Sequence, residues 1–214
     1  MIPVTVLAVR YLSGAAESLC AALGAPQDYR CLGILTTDCD DATYIALDAA
    51  TKAAQVQVCF ARSFYAGAAN ASTPNAGEVL GVLAGPDPMA VRAGMQAALD
   101  TLARVGFSQA GQVPYLAHTV SSVGSFLAEE AGVRQGTALA YLIAPPLEAL
   151  YGLDGALKAA DVKLCKLYSP PSETNFGGGL LSGTQSACDA ACRAFAERVR
   201  EVAEKENLWN TTRI

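Results

Sequence analysis

Little in this chain is equipped for catalysis. It has one histidine, His118, and one tryptophan, Trp209, and no Walker loop, dinucleotide fingerprint, nucleophile elbow or zinc motif. His118 lies inside an expected strand, where a structural or solvated role outweighs a catalytic one. None of the seven cysteines forms a C-x-x-C pair. Most sit in alanine-rich text and read as small buried hydrophobes of a reducing compartment. Cys188 and Cys192, four apart on one helix face, would suit two metal ligands, but a single histidine leaves the set short.

Positive charge is scarce as well. Fifteen Lys and Arg stand against 20 Asp and Glu, a net charge of −5, which argues against a nucleic-acid surface because phosphate binding needs clustered cations. No run approaches the roughly 18 apolar residues needed to span a bilayer, and the N-terminus has no basic start with a cleavage site. The chain is expected to be cytoplasmic, with neither membrane nor nucleic acid as partner.

What is present is a repeat. The segment Leu47-Asp48-Ala49-Ala50-Thr51-Lys52-Ala53-Ala54-Gln55-Val56-Gln57-Val58-Cys59 returns 106 residues later as Leu153-Asp154-Gly155-Ala156-Leu157-Lys158-Ala159-Ala160-Asp161-Val162-Lys163-Leu164-Cys165, identical at eight of 13 positions. A period this long indicates duplicated domains, not a solenoid. Hydropathy and turn signals give each copy the same order of elements. In the first copy, strands are expected at 3–9, 31–37, 55–61 and 78–84 with helices at 14–23, 41–54 and 88–104; in the second, strands at 114–120, 138–144, 161–167 and 180–183 with helices at 122–131, 147–160 and 185–205. The expectation is an α+β protein of two domains, 1–108 and 109–214, each a four-stranded sheet with helices on one side and one sheet face left to bury something else. The linker lies at 107–113. Hydrophobic content of 52% with 16% charged residues favours an oligomer.

Three carboxylates, Asp38, Asp40 and Asp41, gather where a strand ends and a helix begins. Asp40 or Asp41 would serve as an N-cap; three together exceed what a cap requires and would hold a small cation, joined by Glu78 if the fold brings it near. The loops at 63–76 and 169–179 occupy the same place in the two copies and combine glycine with Phe64, Tyr65 and Phe176. They are either loose connections or surfaces for another subunit.

The strings Asp38-Cys39-Asp40-Asp41-Ala42-Thr43-Tyr44, Arg62-Ser63-Phe64-Tyr65-Ala66-Gly67-Ala68, Ala76-Gly77-Glu78-Val79, Ala144-Pro145-Pro146-Leu147-Glu148-Ala149, Leu157-Lys158-Ala159-Ala160-Asp161-Val162 and Pro170-Pro171-Ser172-Glu173-Thr174-Asn175-Phe176 resemble the tandem-domain shell proteins of ethanolamine-utilisation bacterial microcompartments. The resemblance implies two circularly permuted shell domains, and a homotrimer forming a pseudo-hexameric tile that packs against other shell proteins around an enclosed pathway. No enzymatic activity and no required cofactor are implied. It further implies a gated central pore carrying Phe64, Tyr65, Thr174, Asn175, Phe176 and Gly177, where a cobalamin can bind. Small acidic pores would use Asp40, Glu78 and Phe107 to hold ethanolamine. The alternative is a soluble protein that binds or senses a small molecule such as an amine or cobalamin.

Overall fold

A computed structural model describes residues 1–64, 75, 77–169 and 175–205. The first copy runs β1 (Val6–Ser13), α1 (Glu17–Ala22), β2 (Cys31–Thr37), α2 (Asp40–Ala53), β3 (Gln57–Ser63), β4 (Val79–Gly85) and α3 (Pro88–Leu102). The second runs β5 (Ser108–Ala110), β6 (Val113–Val120), α4 (Ser125–Ala131), β7 (Ala138–Ala144), α5 (Pro146–Ala159), β8 (Val162–Tyr168), β9 (Gly177–Gly183) and α6 (Gln185–Glu204). Both sheets are antiparallel. Their orders, β1-β2-β4-β3 and β5-β6-β7-β9-β8, become identical once β5 is set aside. Leu35 pairs with Gly81 in one and Leu142 with Gly179 in the other. The duplication in the sequence is thus a duplication of topology.

The second sheet has five strands, not four, because Ser108–Ala110 pairs with Val113–Tyr115 across a tight turn at Gly111, whose φ is +59°. The stretch expected as a linker is therefore a hairpin. Its short polar text carries no alternation long enough to announce a strand.

Local chemistry sets the helix ends. Asp87 caps α3 by accepting from the backbone N–H groups of Met89 and Ala90 at 2.8 and 2.9 Å, with Pro88 at the first helical position. Thr184 caps α6 through Ala187 N–H at 3.2 Å. The long helices α2 and α3 pack on one face of the first sheet around Leu35, Leu83, Val91 and Met95; α5 and α6 pack on one face of the second around Leu142, Leu153 and Phe195.

The opposite faces are not left bare. Helix α1 covers part of one, over Cys20, Leu32 and Val82, and α4 covers the other over Leu116, Leu127 and Leu139. Helices thus flank both faces of each sheet. The α4 side merges with the core of the first copy into one apolar cluster, whereas the α1 side is a small separate one.

That merging is held by polar bonds. Asp48 of α2 is fully buried, and its carboxylate accepts from Gly124 N–H at 2.8 Å and Leu127 N–H at 2.9 Å, capping α4 from the other copy. Ser125 N–H donates to Thr51 Oγ1 at 3.1 Å, and Lys52 Nζ reaches Ser122 O at 2.7 Å. Position 124 has to be glycine for this approach, since a Cβ there would run into Thr51 and the Asp48 backbone.

Candidate functional site

The end of β2 turns into α2 through Thr37-Asp38-Cys39. The Thr37 hydroxyl lies 2.7 Å from Thr43 Oγ1 and donates to Cys39 O at 3.0 Å, which fixes the turn. Cys39 occupies the N-cap position without a side-chain cap. Asp40 and Asp41 are therefore the first two residues of the helix and not its cap, and Asp40 Oδ1 accepts from Asp41 N–H at 2.8 Å. Glu78 arrives from the neighbouring strand: its N–H donates to Thr37 O at 2.8 Å and its carbonyl accepts from Phe64 N–H at 2.9 Å. The N-terminal segment closes the remaining side, with Ile2 N–H bonded to Phe107 O at 2.6 Å and Thr5 N–H to Asp38 Oδ1 at 2.7 Å.

These contacts enclose a cavity of about 360 Å³ whose wall includes Asp38, Asp40, Asp41 and Glu78 together with Phe64, Phe107 and Phe176. Among the described residues, no lysine or arginine is part of that wall. Phe107 meets Phe176 edge-on, centroids 5.7 Å apart at 80°, so the two copies each contribute a ring to one side.

The carboxyls are crowded and short of water, and their pKa values show it. Burial pushes Asp41 well above the ordinary carboxylate range, with Asp40 and Glu78 adding to the effect and the Tyr141 hydroxyl opposing it. Burial likewise raises Asp40, against hydrogen bonds from Ser63 and the Asp41 backbone. Burial and then the charges of Asp40 and Asp38 raise Glu78. The Cys39 thiol is pushed beyond its usual range, chiefly by burial and then by Asp41, which makes it inert as a nucleophile. Such a set binds a cation or a proton, and it lacks the base and nucleophile pair that acyl or phosphoryl chemistry would need.

A second cavity of about 400 Å³ lies on the far side of Asp40, Asp41 and Phe176, which border both. Its walls come from Tyr44 and Arg62 of the first copy and Phe126, Glu130, Tyr141 and Tyr168 of the second. Tyr141 donates to Asp41, Tyr168 donates to Glu130 Oε1 at 3.0 Å, and Lys166 pairs with the same Glu130 oxygen.

Of the residues singled out in the sequence, Asp40, Glu78, Phe107, Phe64 and Phe176 come together in the first cavity. Asn175 is exposed with φ +61°, and Gly177 opens β9. Tyr65 and Thr174 lie outside the described residues. His118 is half-buried in β6, its pKa lowered by burial and then by Lys52, and it lines neither cavity. The Asp41–Tyr141 pair and the Asp48 clamp were missed. An aspartate embedded in Leu47-Asp48-Ala49-Ala50 was the one available signal for the clamp.

Residues 31–114 match the model of the BMC domain. Over 202 residues the chain is 55% identical to the bacterial microcompartment shell protein EutL of Clostridium perfringens, covering 92% of this chain and 93% of that protein. The chain belongs to the EutL family of bacterial microcompartment shell proteins. The Escherichia coli EutL is 47% identical over 203 residues, covering 93% of each. A crystal structure of the ethanolamine utilization protein EutL from Leptotrichia buccalis superposes with a TM-score of 0.95 at 53% identity, covering 97% of this chain and 98% of that one. A trimeric shell protein, PduB, shares the fold at 21% identity and a TM-score of 0.77, over 93% and 89% of the two chains. As a EutL-family member this chain is a structural component of a microcompartment shell, not an enzyme. The α+β pair of shell domains expected from the sequence is the fold these relatives have.

Proposed function

We propose that this shell protein closes threefold into a pseudo-hexameric tile and that the acidic cavity beside Phe107 is a passage for a small ammonium ion, with ethanolamine the ligand. The observation that carries the reading is a wall of four carboxyls and three phenyl rings in which the described residues include no cationic side chain. Asp40 and Glu78 supply charge-assisted acceptors for the ammonium, while Phe107 and Phe64 offer ring faces to it and apolar contact to the two methylenes. A carboxylate-lined passage concentrates small cations and repels anions before any specific contact forms.

Phe176 borders both cavities together with Asp40 and Asp41, which in this reading sets its ring beside a passage through the subunit. In the same reading the segment 169–179 faces the threefold axis as a gate, with Phe64, Tyr65, Thr174, Asn175, Phe176 and Gly177 around it, and a cobalamin held at that centre is a guest, not a working cofactor. The exposed, left-handed Asn175 ahead of the buried start of β9 supports a projecting turn there. Other shell proteins are the lateral partners.

Calorimetric titration of ethanolamine into the wild type and into a variant carrying Asp40→Asn and Glu78→Gln tests the passage. Binding should be lost in the double variant, and unchanged affinity would rule out this cavity. A solution mass of three times 22.1 kDa tests the tile. A monomer that binds the amine tightly would favour a soluble sensor instead.

A further inference from the structure

The acidic cavity is closed on one side by a single thickness of chain. Ile2, Pro3 and Val4 line it, and Ile2 and Pro3 are also exposed, so this segment has the cavity on one side and solvent on the other. Residues 1–5 belong to no helix or strand. They are held at two points: Ile2 N–H donates to Phe107 O at 2.6 Å, and Thr5 N–H donates to Asp38 Oδ1 at 2.7 Å, with Asp38 N–H returning a bond to Thr5 O at 3.3 Å. Between those points Pro3 has no N–H to give. Just beyond Thr5 the pairing of β1 with β2 is irregular between Val6 and Ala8, so the segment leaves the sheet where the ladder is already interrupted.

The second copy treats the equivalent segment differently. Residues 108–112 precede β6 as residues 1–5 precede β1, yet they fold back through Gly111 as β5 and pair with their own sheet. The carboxylate is missing there too. Thr37, the last residue of β2, is followed by Asp38-Cys39-Asp40, whereas Ala144, the last of β7, is followed by Pro145-Pro146. The unpaired segment and the acid that holds it therefore occur together, at the copy that carries the acidic cavity. The chain beneath is fitted to this segment. A Cβ on Gly106 would run into the Ile2 carbonyl and crowd the Met1 side chain, so position 106 has to be glycine for Ile2 to reach Phe107.

We propose that residues 2–5 are a strap that sets the size of amine the acidic cavity admits, with Asp38 as the positioning residue that latches it. This rests on the ammonium reading above and names its specificity element. Asp40 and Glu78 recognise the charge, which ethanolamine shares with every small amine; Ile2, Pro3 and Val4 meet what distinguishes one amine from another, the groups attached to nitrogen and carbon. An apolar wall held in place rejects an added group by steric cost, and one that swings outward accepts it. Asp38 is placed to decide between the two. Its side chain borders the cavity and accepts a charge-assisted bond from the strap, so its loss loosens the wall while Asp40 and Glu78 stay where they are.

The test uses the full chain and measures, by calorimetry, its affinity for ethanolamine and for N-butylethanolamine, which carries the same charge on a longer body. The wild type should prefer ethanolamine by about tenfold or more. Gly106→Ala keeps every acid and displaces the strap, and Asp38→Ala removes the latch; each should narrow the preference to about threefold or less, chiefly by tighter binding of the larger amine. Asp38→Asn keeps an oxygen for Thr5 N–H, so it should weaken both amines alike and retain the wild-type preference. Circular dichroism melts check folding, and should Gly106→Ala fail to fold, the contrast between Asp38→Ala and Asp38→Asn decides. A wild type that binds both amines equally, or a preference unchanged in the folded variants, would overturn the strap and leave the passage standing. A wild type that binds neither amine would overturn the passage and the strap's role with it.

Discussion

Tyr141, on the central strand of the second sheet, donates its hydroxyl to Asp41 Oδ1 at 2.8 Å across one hundred residues of sequence. Both groups are buried, and the bond ties the second copy to the floor of the acidic cavity in the first. Tyr141→Phe leaves the Asp41 carboxyl without that donor, and should lower unfolding stability by about 1 to 3 kcal/mol in urea titration. A loss indistinguishable from zero would mean that the bond is replaced by water.

The same aspartate gives a pH signature. Its folded pKa is raised, so the native state holds the proton more tightly than the unfolded chain, whose reference is about 3.9. Its favourable contribution is complete below about pH 4 and is lost as pH rises through the folded value. Asp41→Asn keeps an acceptor for Tyr141 and removes the titration. The variant should equal the wild type in stability near pH 3 and exceed it progressively toward pH 8, measured by denaturant midpoints at each pH. A constant difference across that range would place the titration elsewhere.

Binding of the amine should follow the same carboxyls in the opposite sense. Asp40 and Glu78 also have raised values, so they protonate above the usual carboxylate range, and the ammonium loses its acceptors as pH falls through theirs. Calorimetry over falling pH should show ethanolamine affinity declining at a higher pH than ordinary carboxylates would predict. A decline that begins only where ordinary carboxylates protonate would assign the binding to groups outside this cavity.

Phe176 borders both cavities, and shortening it should be felt on both sides. Phe176→Ala removes the edge contact with Phe107 and should cost about 1 to 3 kcal/mol, less than a fully buried phenylalanine because the ring is half-exposed to the cavities. It should also admit a bulkier secondary amine that the wild type refuses, read by competition against ethanolamine. Equal exclusion by both proteins would show that the constriction lies elsewhere.

The joint between copies predicts an asymmetry between two aspartates at equivalent repeat positions. Asp48→Ala strips two backbone donors of their acceptor in the buried junction and should cost the folded chain about 2 to 4 kcal/mol. Asp154→Ala, at the exposed equivalent position on α5, should leave the stability of the chain within about 0.5 kcal/mol. Similar losses for both would contradict the view that Asp48, unlike Asp154, clamps the two copies together.

Much of this was legible before any coordinates, because the signals are local. Runs carrying Leu, Ile and small apolar residues marked β2 and β7 to the residue, and the Asp87-Pro88 pair marked the start of α3. Pairing was less visible. The hairpin at 108–113 depends on a turn residue and a partner strand, not on periodicity, and the covering roles of α1 and α4 depend on which sheet face a short helix lands on. At the site, charge clustering in Asp38-Cys39-Asp40-Asp41 was plain, Glu78 was a conditional addition to it, and the family resemblance supplied Phe107. The bond from Tyr141 to Asp41 and the clamp from Asp48 to Gly124 join distant segments through single atoms, for which a lone sequence has no marker.

The internal clamp also changes the arithmetic of construction. A joint formed between two halves of one polypeptide is made as the chain folds, at an effective concentration that dilution does not alter.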